Sequence, residues 1–216
     1  MAVTSGRRHL DIGRVIMVPL FAVILIAELF ALGHGRASGA AGALRVLGVV
    51  LLCAFYVLII WCYLRRGPAA ATSGSVTAHA AAVAATWLAF ALPLLRGAPP
   101  GTARQAVSDV LLIIGTTWAV WSLRFLGRNL SVLAQARGLT DRGPYRWVRH
   151  PLYTGELVSS LGVAIAMNSL AAVVLWLVLC GLQAYRARRE EQVLLTALPG
   201  YHDYRSRTAA LLPGVF

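Results

Sequence analysis

The sequence predicts an all-α integral membrane protein of about six membrane helices, the last two forming a hairpin. Three observations lead there. Of 216 residues, 58% are hydrophobic and only 13% charged, with a mean hydropathy of +0.70; a soluble domain averages about 45–50% apolar and about a quarter charged. The apolar residues gather into long runs, with no strand-period segment, internal repeat or heptad. One run exceeds a single crossing and is broken once, at Asn168-Ser169. This composition excludes an ordinary soluble globular protein and a disordered chain.

The elements follow in order. Val15–Leu32 is preceded by Arg7, Arg8 and His9. That basic lead resembles a secretory signal, but the run is long for one and lacks a small-residue cleavage site, so a retained span is expected. Val46–Leu64 is closed by Arg65-Arg66-Gly67-Pro68. Val76–Leu95 is Ala-rich around Ala80–Ala85, which permits close helix approach. Ala106–Leu126 is the fourth run. Each holds about 18–21 residues, enough to cross a ~30 Å hydrocarbon core. Leu152–Tyr185 has 34 residues, a helix of about 51 Å. The Asn168-Ser169 break divides it into arms of 16 residues, each about 24 Å and short for a full span. Residues 127–151 form the long loop and residues 186–216 the long polar tail, with turns at Pro199-Gly200 and Pro213-Gly214.

Charge sets the orientation. The net charge of +12 comes from twenty arginines and no lysine against eight acids. Such a balance can mark a nucleic-acid binder, but here the arginines sit between apolar runs, so no nucleic-acid partner is expected. Six spans put sixteen arginines on one face, together with both termini and the 127–151 loop; Arg36, Arg45, Arg96 and Arg104 fall on the other. The positive-inside rule makes the Arg-rich face cytoplasmic. The expected location is a bacterial cell membrane, with both termini cytoplasmic. Cys53, Cys62 and Cys180 lie inside apolar runs and read as small buried hydrophobes.

Several chemistries have no motif. The chain holds no Walker-type loop, no Gly-x-Gly-x-x-Gly, no Gly-x-Ser-x-Gly, and no HxxxH or HExxH pair, so neither a soluble nucleotide fold nor a metal site is expected. The dense segment is Gly143-Pro144-Tyr145-Arg146-Trp147-Val148-Arg149-His150-Pro151-Leu152-Tyr153-Thr154-Gly155-Glu156. Pro151 suits the first position of a helix. Arg149 and His150 then stand at the mouth of the hairpin's first arm, where free N–H groups and arginine favour an anionic ligand. The second arm ends in Tyr185-Arg186-Ala187-Arg188-Arg189-Glu190-Glu191. Arg186 and Glu190, four apart, share a helix face. Because a hairpin returns to its starting side, the two clusters are expected to meet. Arg186–Arg189 also suits a positive-inside anchor, and Trp118, Trp121 and Trp147 suit interfacial anchoring. Glu156 lies one turn into an apolar helix, the position of a functional carboxyl. Glu28 is a similar signal, four residues from the end of its run and within snorkelling reach of the interface.

Gly143-Pro144-Tyr145 with Arg149-His150-Pro151 and Tyr153-x-Gly155 resembles the signature of the isoprenylcysteine carboxyl methyltransferase family, part of a membrane group that includes phospholipid methyltransferases. Leu126-Gly127-Arg128-Asn129, Glu190-Glu191 and Tyr201-x-x-Tyr204 followed by Pro213 also fit, whereas Leu198-Pro199-Gly200 departs from the family's Phe-Gly. The resemblance covers residues 120–216 and implies two regions, membrane helices over 1–110 and a methyltransferase-like region over 111–216. It implies S-adenosylmethionine held between the hairpin and the cytoplasmic tail, with Tyr145, Arg149, His150, Pro151, Tyr153, Gly155 and Glu191 binding it. It further implies methyl transfer to a lipophilic acceptor at the cytoplasmic face, best a carboxylate oxygen of an isoprenylcysteine-like or isoprenoid molecule. Arg186 would orient that oxygen, Glu190 or Glu191 would face the cofactor's cationic end, and Glu156 or Glu190 would serve as base for a phenol. The expected partners are that small-molecule or lipid acceptor and membrane lipids. The alternatives are O- or N-methylation of a phenolic lipid or phospholipid, and a non-catalytic membrane protein.

Overall fold

The computed structural model describes residues 12–34, 39–67, 69, 71–72, 74–131 and 135–211. The expectations for Arg7, Arg8, His9, Arg36, Pro68, Pro213-Gly214 and the two chain ends lie outside them. Every apolar run is helical: the helices on the first, second and fourth runs extend past them into the flanks, the third ends just short of Leu95, and the last run divides into two helices. The helices are α1 (Ile12–His34), α2 (Gly39–Arg65), α3 (Val76–Ala91, continued by a 3-10 turn through Leu94), α4 (Thr102–Leu126), α5 (Pro151–Met167), α6 (Leu170–Ala197) and the short α7 (Tyr201–Arg207). Local signals set their ends. The Ser75 hydroxyl accepts the Ala78 N–H and caps α3. Pro151 opens α5, and Asn168, left-handed at φ 49°, closes it.

The hairpin is therefore present, with unequal arms. α5 has 17 residues, about 25 Å, whereas α6 has 28, about 42 Å. The second arm does not stop at Tyr185: Arg, Glu, Gln and Leu are good helix formers and carry the helix on to Ala197, so the tail begins at Leu198. Among the described residues, five helices are long and apolar enough to cross a membrane: Gly13–Gly33, Gly39–Arg65, Val76–Leu94, Thr102–Asn129 and Leu170–Ala197. α5 is the shorter sixth. Apolar side chains such as Val23, Phe30, Val57, Leu170 and Leu177 cover the outer surface, as a lipid-facing exterior requires.

Hydrogen bonds sort the connections to two ends. At one end, Arg14 donates from Nε to Tyr63 O at 3.0 Å and from Nη2 to Arg66 O at 2.9 Å, joining the start of α1 to the close of α2. Two-residue strands β1 (Ala71–Thr72) and β2 (Gln135–Ala136), too short to show a sequence period, pair antiparallel there. At the other end, the Gly97 N–H donates to Met167 O at 2.8 Å, Asn168 Nδ2 donates to Ala98 O at 3.1 Å, and Arg104 donates to the Asn168 side chain. Arg45, Arg96 and Arg104 mark this hairpin-tip end, and the other described arginines gather at the first.

α4 and α5 run together almost backbone to backbone. A Cβ added at Gly115 would lie 2.3 Å from Ser159 N, and one at Gly155 would lie 2.8 Å from Ala119 N. Only glycine permits that approach. The seam fixes the depth at which α5 presents Tyr153 and Glu156.

Candidate functional site

The site is built where the chain enters α5. A 3-10 turn, Gly143–Arg146, buries Tyr145 and leads into Trp147–His150. The end of the described chain lies alongside that segment: the Arg149 N–H donates to Ala209 O at 2.8 Å, the His150 N–H to Ala210 O at 3.0 Å, and the Ala209 N–H to Trp147 O at 3.2 Å. Leu198-Pro199-Gly200 makes the turn this needs, with Gly200 at φ 81° starting α7. α7 then places Tyr204 to donate to Tyr145 O at 2.7 Å, and Thr154 donates to Leu211 O at 2.7 Å. Burial pushes the phenols of Tyr145, Tyr201 and Tyr204 above their ordinary titration range, so they remain hydroxyl donors.

The two polar clusters meet. Arg149 Nε donates to Glu191 Oε1 at 2.7 Å. The same oxygen lies 3.2 Å from His150 Nε2, and Arg205 Nε lies 3.3 Å from Glu191 Oε2. Arg149 also donates from Nη1 to Arg205 O at 3.0 Å and to Thr208 O. Tyr153 donates to Glu190 Oε2 at 2.7 Å, and its ring stacks on His150 with centroids 5.4 Å apart and 6° between planes. Deeper in, Arg186 donates to Gln183 Oε1 at 2.9 Å while Gln183 Nε2 donates to Glu156 Oε2 at 2.8 Å. The Arg186 guanidinium stands 4.6 Å over the Tyr153 ring.

These contacts give the predicted residues different situations. Arg149 and Glu191 hold the tail against the hairpin. Glu190 accepts from Tyr153 and keeps 23% of its side chain exposed, against 9% for Glu191, so it is the more accessible carboxylate. Pro151 is buried at the helix start, and Gly155 meets the backbone of α4. Arg186 reaches Gln183 within α6 as well as sharing a face with Glu190. Trp118, Trp121 and Trp147 cluster with ring centroids 5.3–6.5 Å apart. Sequence reasoning passed over Gln183, Arg205 and the hydroxyl of Tyr201. Gln183 carried a signal, an amide inside an apolar run. Tyr201 Oη is buried without a hydrogen-bond partner, with Glu191, Glu190 and Arg149 around it.

A cavity of about 250 Å³ begins at this cluster and runs between the helices. Tyr153, Glu156, Gln183 and Arg186 form its polar end, and Phe21, Ile24, Leu52, Phe55, Phe90 and Leu179 are among its apolar walls. Among the described residues, no group of three His, Cys, Asp or Glu is placed to hold a metal ion.

Residues 103–198 match the family model described as phospholipid methyltransferase. Over 113 residues the chain is 35% identical to the cobalt-zinc-cadmium resistance protein CzcN of Cupriavidus metallidurans, covering 50% of this chain and 51% of that protein. The match thus spans about half of that relative's length. In fold, the chain is similar to the eukaryotic intramembrane Ras methyltransferase ICMT, isoprenylcysteine carboxyl methyltransferase, with TM-score 0.54 and 19% identity over 97% of this chain and 79% of that one. Fold and apolar surface together define a helical integral membrane protein whose fold is that of this intramembrane methyltransferase. Residues 103–198 match the phospholipid methyltransferase family model on an isoprenylcysteine carboxyl methyltransferase-like fold, in agreement with the resemblance read from the signature residues.

Proposed function

We propose that the chain transfers a methyl group from S-adenosylmethionine to a carboxylate oxygen of a lipophilic acceptor, of isoprenylcysteine-like or isoprenoid type. One observation carries this reading: the polar end of the intramembrane cavity, at Tyr153, Glu156, Gln183 and Arg186, is continuous through Tyr153 with the Glu190–His150–Arg149–Glu191 cluster. An apolar molecule in the cavity would therefore present its head group beside a polar cradle.

The cradle suits S-adenosylmethionine, an ammonium–carboxylate compound with ribose hydroxyls and a sulfonium. The unpartnered Tyr201 hydroxyl supplies a buried donor, Glu190 an accessible carboxylate for a cationic end, and His150 and Tyr153 a stacked aromatic wall. When bound, the cofactor supplies an electrophilic methyl: an acceptor oxygen lone pair forms the O–CH3 bond while the S–CH3 electron pair returns to sulfur. A carboxylate needs no base, so the chain's task is positioning and charge placement. Arg186 orients the acceptor oxygens, Gln183 holds Glu156 clear of that guanidinium, and Arg149 positions Glu191 and the tail. The arginine-rich end is the cytoplasmic one.

The family description favours a second reading, methylation of a phospholipid amine; there Glu156, at the cavity's polar end, would take the amine proton. Calorimetry on the detergent-purified protein tests the shared premise: S-adenosylmethionine and its demethylated product should both bind, and absence of binding at millimolar ligand would refute it. Transfer of labelled methyl to a membrane lipid extract then separates the readings. A carboxyl ester releases labelled methanol in alkali, whereas alkali-stable label favours the amine.

A further inference from the structure

We infer that Tyr56 of α2 contacts the acceptor, its phenol donating a hydrogen bond to the carboxylate from the wall opposite Arg186. This rests on the proposed function, since it concerns the head group held in the same cavity, and adds a binding residue from outside the matched range. Val50, Val57, Trp61 and Leu64 carry the exposed side of α2, whereas Tyr56, with Ile59 and Tyr63 three and seven residues on, forms its buried side. The ring is fixed there, stacked on Phe21 with centroids 6.1 Å apart and edge-on to Phe55 at 5.5 Å. Because α2 packs on α1 and α4 while α6 packs on α3 and α5, the helices of Tyr56 and Arg186 stand on opposite sides of the cavity.

Two close approaches give its depth. A Cβ added at Gly48 of α2 would lie 3.2 Å from Leu112 Cδ2 of α4. Both helices run towards the site end, so Tyr56, eight residues past Gly48, is level with the turn around Ala119. The glycine seam sets Ala119 against Gly155. Tyr56 is therefore level with Tyr153 and Glu156, and it packs in one cluster with Ala119 and Leu152. Its hydroxyl has no hydrogen-bond partner among the described residues, and it is not one of the polar atoms shut off inside the packing, as Tyr201 Oη is. With the rest of the ring enclosed, the space open to that hydroxyl is the cavity the residue lines. Neighbouring polar groups are engaged: Tyr153 donates to Glu190, Gln183 to Glu156 and Arg186 to Gln183. An unpaired hydroxyl in apolar surroundings is costly until a ligand satisfies it, and a carboxylate accepts at both oxygens. The Arg186 fork fixes the plane of that carboxylate; the phenol adds one point of attachment facing it. Methylation removes the acceptor's charge, so a donor to it is stronger before transfer than after and serves binding rather than the chemical step.

The test is calorimetry on the full chain in detergent with two probes, farnesoic acid, an isoprenoid carboxylate, and its methyl ester. Tyr56→Phe removes one oxygen and keeps the ring. The acid should bind this variant about tenfold more weakly than the parent, the effect of one hydrogen bond to a charged group. The uncharged ester should change by less than about threefold. S-adenosylmethionine affinity should stay the same, and the melting temperature should not fall, because no bond within the protein is lost. Equal affinity of parent and variant for the acid, an equal loss for acid and ester, or no binding of the acid by the parent overturns the inference. A lower melting temperature for Tyr56→Phe also overturns it, since that marks the hydroxyl as structural. Loss of S-adenosylmethionine binding in the parent would instead overturn the methyltransferase reading, whatever the acid and ester do.

Discussion

Arg149 and Glu191, 42 positions apart in sequence, face each other at 2.7 Å with side chains only 7% and 9% exposed. The pair joins the start of α5 to the far part of α6, and Arg149 at the same time holds the carbonyls of Arg205 and Thr208. One guanidinium therefore ties together three separated stretches of chain.

Because the pair is buried, removing one partner leaves an uncompensated charge, a loss of about 3–5 kcal/mol. Glu191→Gln and Arg149→Met should both lower the melting temperature and loosen the tail. The check is limited trypsin digestion: cleavage after Arg205 and Arg207 should accelerate at least about tenfold in the variants, since each 1.4 kcal/mol changes an opening equilibrium by that factor. Unchanged cleavage would show that the tail is held by other contacts.

Arg186 separates binding from turnover. Lysine keeps the charge and loses the planar fork that holds a carboxylate at two points. Arg186→Lys should reduce turnover about ten- to a hundredfold, the effect of about 1.5–3 kcal/mol from one charge-assisted bond, with S-adenosylmethionine affinity within about twofold. Glu190→Gln should reverse that balance and weaken cofactor binding first. Turnover of Arg186→Lys close to the parent would return Arg186 to a membrane anchor.

Alkali should loosen the tail. Burial raises the phenol pKa values of Tyr145, Tyr201 and Tyr204, so the folded state holds these protons more tightly than the unfolded chain, whose tyrosines titrate near pH 10. Their contribution is complete below about pH 10 and is lost as pH rises above it. Tyr204→Phe should be destabilised by about 1 kcal/mol at neutral pH through loss of the bond to Tyr145 O, and should decline less steeply above pH 10. Parallel curves for parent and variant from pH 9 to 12 would contradict this.

Orientation can be read with single cysteines at two exposed positions, Arg142 at the site end and Gly101 at the hairpin-tip end. An impermeant maleimide applied to intact cells should label Gly101→Cys at once and Arg142→Cys only after permeabilisation. The opposite pattern would place the site outside.

The helices were legible because the bilayer dictates run length, and the hairpin because Asn168-Ser169 is the one polar break in a run too long for a single span. The meeting of Arg149 with Glu191 followed from that return. The continuation of α6 beyond Glu191 to Ala197 was hidden, because hydropathy ends at Tyr185 while helix propensity does not. Gln183, Tyr56 and the Tyr201 hydroxyl were hidden for another reason. Their importance lies in whether a partner faces them, and that is fixed by packing between distant helices. Glu28 was visible as a charge in an apolar run, but its apparent reach to the interface shortened once α1 continued to His34.

The glycine seam has a consequence for how such a protein diversifies. α4 and α5 meet with no side-chain layer between them, so neither can shift without a clash, and α6 brings Gln183 and Arg186 to the same rigid frame. The opposing wall, with Phe21, Ile24, Glu28, Leu52 and Phe55 on α1 and α2, lies before residue 103, where the family match begins. On the proposed function, the reacting groups lie inside the matched range, while one wall of the acceptor's cavity comes from the helices before it. On that reading, exchanging the first three helices between homologues alters one wall of the cavity while leaving Tyr153, Glu156, Gln183 and Arg186 in place.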